Sequence, residues 1–214
     1  MNLIYYMIGA IILIKTPFIG TYIRLINTIT HEIWHVVIAS VTGGKGHRIA
    51  LNRDTSGYAI TSNASWISRV LTAYAGYTGA SITALLLFYL LNEGRYSAVL
   101  TLYLVIAAIA SVLWIRNVFG FLWTSSFVIL IWLLLNHSMD ILIIHISYML
   151  AAIILVESIL SASHILRISF FEPKNAGDAT NLQKATLIPA VIWGTVFFVQ
   201  SVYIGYQILL WFNT

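Results

Sequence analysis

Seven long apolar runs, at residues 3–14, 22–42, 66–91, 98–114, 117–135, 141–160 and 186–210, constrain this chain more than any other feature. Most of them approach the ~20 residues that carry a helix across a hydrocarbon core. The runs are unbroken and rich in Leu, Ile, Ala and Val, whereas a transmembrane β-barrel is built from ~10-residue alternating segments. Only 8% of residues are charged, against ~25% in soluble domains, so lipid is the natural solvent for most of the chain. The expected fold is an all-α polytopic membrane protein of six to seven transmembrane helices, forming one domain over residues 1–214.

The first run is short and is followed by Lys15, Pro17 and Gly20. A signal peptide would need a positive segment before the run and a small-x-small site after it, and neither is present. Residues 3–14 are therefore expected as a retained span or a shallow interfacial helix. The only sizeable polar segments are Gly43–Asn63 and Ser161–Thr186. In the first, Arg48–Arg53 and Tyr58–Thr61 flank Asp54-Thr-Ser-Gly57, which reads as a small β-hairpin. The second surrounds Pro173 and Gly177 and reads as a loop leading into the last helix.

If every run spans, the eleven Lys and Arg residues sort unevenly. Lys45, Arg48, Arg53, Arg69, Arg116, Arg167, Lys174 and Lys184 fall on one side, and Lys15, Arg24 and Arg95 on the other. Basic residues of short loops collect in the cytoplasm. The hairpin and the 161–186 segment are then cytoplasmic, with the N-terminus inside and the C-terminus outside. This signal accounts for the formal charge of +4 without any nucleic-acid partner.

Within the second run stands Thr30-His31-Glu32-Ile33-Trp34-His35. Two histidines four apart share one helix face and can reach a single Zn²⁺, with the intervening Glu32 placed to take a proton from water there. Ionisable side chains inside an apolar span cost several kcal/mol unless paired, so such a cluster points to function. The plain alternative is a set of polar residues bonding to neighbouring helices.

With no cysteine in the chain, any transition metal must be held by His and carboxylate. A catalytic zinc centre usually takes three protein ligands and leaves one position open. Of the six other carboxylates, Asp54, Glu93, Asp140 and Glu172 lie in the turn or the connections, which leaves Glu157 and Asp178. Asp178 precedes the seventh run on the side where the second helix exits. Its ordinary reading is a helix N-cap. Glu157 shares a face with Ser161 and His164, a face that either lines an active-site cavity or forms a polar seam between helices. His47, His137 and His145 have no partner at ligand spacing and read as loop or interface residues.

These residues resemble the site-2 protease family of intramembrane metallopeptidases, in particular its compact bacterial, M50B-like branch. The resemblance covers most of the chain from about Thr30 to Trp193. It rests on His31-Glu-x-x-His35 early in a membrane helix, the turn at Gly43-Gly44, a short hairpin, Ala75-Gly76 in the next helix and a late Gly177-Asp178. It implies that His31, His35 and Asp178 bind one Zn²⁺ per chain and that Glu32 is the general base and acid. The implied substrate is a transmembrane or membrane-associated protein that presents an unwound peptide; Asn175 or Asn181 could hold that strand or the oxyanion, and the ordinary reading of each is a loop or helix-cap residue. The implied location is a bacterial plasma membrane. Two departures stand out: Trp34 occupies the place of the usual Gly before the second histidine, and Asp178 is followed by Ala179 rather than Gly. A metal-ion or proton transporter using the same His/Glu cluster, and a proteolytically inactive regulatory relative, are the alternatives.

Overall fold

A computed structural model describes residues 3–137 and 140–213. The ends of the expected single domain, residues 1, 2 and 214, lie outside the described residues. The elements are α1 (Leu3–Lys15), α2 (Ile19–Val41), β1 (Lys45–Leu51), β2 (Gly57–Ser62), α3 (Trp66–Asn92), α4 (Tyr96–Leu113), α5 (Val118–Asn136), α6 (Asp140–Phe171), α7 (Gly177–Thr186) and α8 (Ala190–Asn213). The protein is an all-α polytopic membrane protein with a small β-hairpin after its second helix.

Five helices, α3, α4, α5, α6 and α8, are each long and apolar enough to cross a membrane. Helices α1 and α2 pass that test only as a pair, bent by 110° at the break between them. Among the described residues the candidate spans therefore number five, or six if the bent pair is one crossing, the lower end of the expected range. The physical reason lies in both halves: α1 has 13 residues, ~20 Å of helix, and α2 carries Arg24, Asn27, His31, Glu32 and His35 among its apolar residues. Pro17 ends the first helix, because it cannot donate to the ladder and restricts the residue before it.

The start of α1 lies beside the start of α6. Tyr6 and His145 share a hydrogen bond of 2.6 Å, and Tyr6 stacks on Tyr148 at 5.0 Å. Tyr148 also meets Tyr96 at the start of α4 and Phe212 near the end of α8. The beginning of α1 thus sits with the 92–96 connection and the end of α8, opposite the hairpin. An N-terminus on the hairpin side required residues 3–14 to span independently, and the bent pair does not provide that. Lys15 and Arg24, expected on the far side, instead flank the break, and Arg24 Nε lies 3.2 Å from Glu157 Oε1.

The hairpin forms as expected, with a turn at 52–56. The Ser56 hydroxyl and amide both donate to Asp54 Oδ1, at 2.6 and 3.0 Å, and hold its carboxyl below the usual carboxylate range. Ile49, Ala50 and Leu51 of β1 are buried. The Ile49 amide donates to the Trp114 carbonyl and its own carbonyl accepts from the Arg116 amide. The Asn117 side chain brackets Leu51, accepting from its amide at 3.2 Å and donating to its carbonyl at 2.6 Å. Strand β1 is thus held on both edges, while β2 pairs with β1 alone.

The Ser161–Thr186 segment departs from the expected loop. Helix α6 continues to Phe171, and after a short connection α7 forms. Ala176, Ala179 and Leu182 are fully buried against Ala73, Ala162, Ile165, Ala190 and Phe197, and the alanines let α7 sit close among α3, α6 and α8. The Trp66 indole donates to the Ala185 carbonyl at 2.6 Å and closes the other end of α7.

Candidate metal centre

His31 and His35 point from α2 towards α3, where Gly76 makes room for both rings. A Cβ on Gly76 would lie 2.4–2.6 Å from imidazole atoms of His31 and His35, so no larger residue fits without moving them. One turn along, a Cβ on Gly79 would lie 2.0 Å from Trp34 Cγ. The bulky Trp34 is therefore seated across bare α3 backbone, with its indole donating to Thr83 Oγ1 at 2.9 Å. The departure at Trp34 is matched by a glycine on the facing helix.

His35 Nδ1 lies 2.6 Å from the Thr72 carbonyl oxygen. A carbonyl only accepts, so the proton resides on Nδ1 and Nε2 presents its lone pair, the arrangement by which an outer partner fixes a metal-binding imidazole. His31 stands edge-on to His35 and to Tyr77, at 4.7 and 4.6 Å between centroids.

Asp178 is the second residue of α7. The N-cap position belongs to Ala176 and no side chain caps the helix, so the carboxylate is not used as a cap. Its Oδ2 lies 3.1 Å from His31 Nε2 and 3.2 Å from His35 Nε2, and the two Nε2 atoms are 3.0 Å apart.

The donor set fits a zinc ion. Zinc takes His nitrogen and carboxylate oxygen at ~2.0–2.2 Å in a tetrahedron, which separates ligand atoms by roughly 3.3 Å. The three distances here are close to that value, and His31, His35 and Asp178 are the one group of this kind among the described residues.

These residues form the floor of a cavity of about 710 Å³ that also contains Asn27 and Glu32. Glu32 is 6% exposed, and the hairpin closes over it, with the Cβ position of Gly57 3.2 Å from Glu32 Cγ. One wall is β2, through Gly57, Ala59 and Thr61; α3 contributes Arg69, Thr72 and Tyr77. Ser161 and His164 of α6 and Asn181 and Lys184 of α7 complete it. Two buried oxygens among the lining residues, Asn27 Oδ1 and Thr72 Oγ1, have no hydrogen-bond partner.

The remaining candidates fall elsewhere. Glu157 is 4% exposed and pairs with Arg24, so the face it was expected to share is divided: Ser161 and His164 line the cavity and Glu157 does not. Asn175 donates to Glu172 Oε2 at 3.0 Å within its own connection, while Asn181 lines the cavity. His47 meets the Ser62 hydroxyl, His137 the Leu133 carbonyl and His145 the Tyr6 hydroxyl. The sequence reading missed Thr72, Tyr77 and Asn27. Thr72 is one helical turn from Gly76 and Asn27 is one turn before His31, but neither spacing singles out a residue until the facing helix is known.

A family model described as peptidase M50B-like matches residues 3–207, essentially the whole chain. No curated protein sequence and no solved structure matches it.

Proposed function

The chain belongs to the peptidase M50B-like family, and from that premise we propose that it is an intramembrane zinc metalloprotease acting on membrane-associated protein substrates. His31, His35 and Asp178 hold one Zn²⁺ per chain. The observation that carries this reading is the mutual spacing of their three ligand atoms, 3.0–3.2 Å, supported by the lone pair that Thr72 directs onto His35 Nε2. When bound, zinc supplies Lewis acidity toward the scissile carbonyl and lowers the pKa of water toward ~7.

Glu32 is the general base: its carboxylate takes a proton from the attacking water and returns it to the leaving amine. Its enclosure by Gly57 keeps that carboxylate beside the cluster. Strand β2, paired with β1 alone, offers an edge along which an extended substrate can lie, which suits a peptide unwound from its helix. The unpartnered oxygens of Asn27 and Thr72, together with Asn181, give the cavity a polar lining that admits water to a site within the bundle. Eight of the eleven basic residues fall on the hairpin side, while Lys15 and Arg24 flank the break in the α1–α2 pair. On this reading the hairpin and α7 are cytoplasmic, the membrane is a bacterial plasma membrane, and residues 1–214 act as one domain.

The test is zinc content per chain in the detergent-purified protein. Wild type and Glu157→Ala hold about one zinc, and His35→Ala and Asp178→Ala lose it. Glu32→Gln keeps zinc and loses proteolysis of a membrane-spanning substrate by about 10²–10⁴-fold, the usual contribution of a positioned acid–base group. Equal zinc in all four proteins, or full activity in Glu32→Gln, overturns the reading.

A further inference from the structure

The cavity carries charge of opposite sign at its floor and its walls. Its only carboxylates are Glu32 and Asp178, both beside the metal cluster. Arg69 on α3 and Lys184 on α7 are exposed and line the same cavity. Among the described residues, neither side chain has an ion pair, a hydrogen bond or a ring partner.

Their positions follow from the helices that bear them. Arg69 is one turn of α3, ~4.5 Å along its axis, before Thr72, whose carbonyl holds His35. Asp178, Asn181 and Lys184 recur every three residues along α7 and all line the cavity, which sets Lys184 ~9 Å beyond Asp178 along the axis. Both cations therefore stand a short step beyond the metal cluster, Arg69 towards the end of α3 that follows the hairpin. An extended peptide advances ~3.3 Å per residue, so they face positions about one to three residues from the bond being cut.

Resting on the protease reading, we propose that Arg69 and Lys184 determine specificity: they select substrates with acidic residues about one to three positions to the hairpin side of the scissile bond, and repel basic ones. Membrane-spanning segments usually carry Lys and Arg at their cytoplasmic ends. A cavity mouth of the same sign rejects most such segments through like-charge contact, and an acidic flank is the exception it admits.

The experiment uses three membrane-spanning peptides that are identical except for Glu, Gln or Lys at those positions. Binding is measured to the Glu32→Gln protein in nanodiscs of zwitterionic lipid, and cleavage with the wild type. The expected order of affinity is Glu over Gln over Lys, with about tenfold between the extremes at low salt and a smaller range at high salt. Arg69→Glu combined with Lys184→Glu inverts the order while zinc content stays at about one per chain. Arg69→Gln and Lys184→Gln each flatten it. Equal affinities, or an unchanged order in the charge-reversed protein, overturns the proposal. So does an effect of charge reversal seen only in discs of anionic lipid, which would assign the two cations to headgroups. If the peptides bind in charge order but wild type cleaves none, charge selection stands and the protease reading falls. If all three are cleaved equally, the protease reading stands and charge selection falls.

Discussion

At position 76 the absence of a methyl group decides whether two imidazoles can lie against α3. A Cβ there would approach ring atoms of both histidines within 2.6 Å, and overpacking of this kind typically costs about 1–3 kcal/mol. Gly76→Ala is expected to lower zinc content well below one per chain, with a smaller loss of thermal stability, as read by metal analysis and a melting curve on the same preparation. The Arg24–Glu157 pair makes a different prediction. Glu157 is buried whereas the Arg24 side chain is 46% exposed. Arg24→Ala strands a charge in the bundle at a cost of about 3 kcal/mol. Glu157→Gln costs less, because Arg24 can turn outward. Neither changes zinc content, and equal destabilisation by the two would contradict this asymmetry. His31, Glu32 and His35 were legible in the sequence because helical spacing alone puts the histidines together. Asp178 was legible because few carboxylates competed with it. The contribution of Thr72 was not, since a backbone carbonyl leaves no chemical signature in a sequence, and Gly76 entered through the family resemblance without its role of making room for two rings.

Among the elements, the hairpin was recognisable from its turn residues, but what holds it was not. Asn117, just before α5, donates to and accepts from the Leu51 backbone across 66 residues of chain, a contact that periodicity cannot reveal. Asn117→Ala leaves both groups without that partner and is expected to cost about 1–3 kcal/mol. It should also speed amide hydrogen exchange in residues 45–51 more than in α3 or α6. Uniform exchange across the protein would show that β1 is held by packing alone. Helix α7 was expected as loop because its segment is polar and surrounds Pro173 and Gly177. Its stability comes instead from Ala176, Ala179 and Leu182 packed among neighbouring helices, a tertiary effect that outweighs the local signal.

For the whole molecule, hydropathy found the five long candidate spans among the described residues and left residues 3–14 open between a span and an interfacial helix. The polar centre in α2 lowers its hydropathy, and only packing shows that α1 runs beside α6 and forms a bent pair with α2. This sets the sidedness. With no native cysteine to remove, single cysteines can report it directly. Glu93→Cys and Tyr5→Cys should react with a membrane-impermeant maleimide from one side, and Lys174→Cys from the other. Labelling of Tyr5→Cys together with Lys174→Cys would restore an independent first span.

On the proposed reading, the placement of the metal ligands also orders events in time. His31 and His35 lie near the beginning of the chain and Asp178 roughly 140 residues later, beyond α6. As the protein is synthesised and its helices enter the membrane one after another, the histidine pair and Glu32 are present early but lack their third ligand. The centre is completed only when α7 closes against α3. On that reading hydrolytic competence waits for nearly the whole bundle to assemble, and an unfinished chain enters the membrane without a working blade.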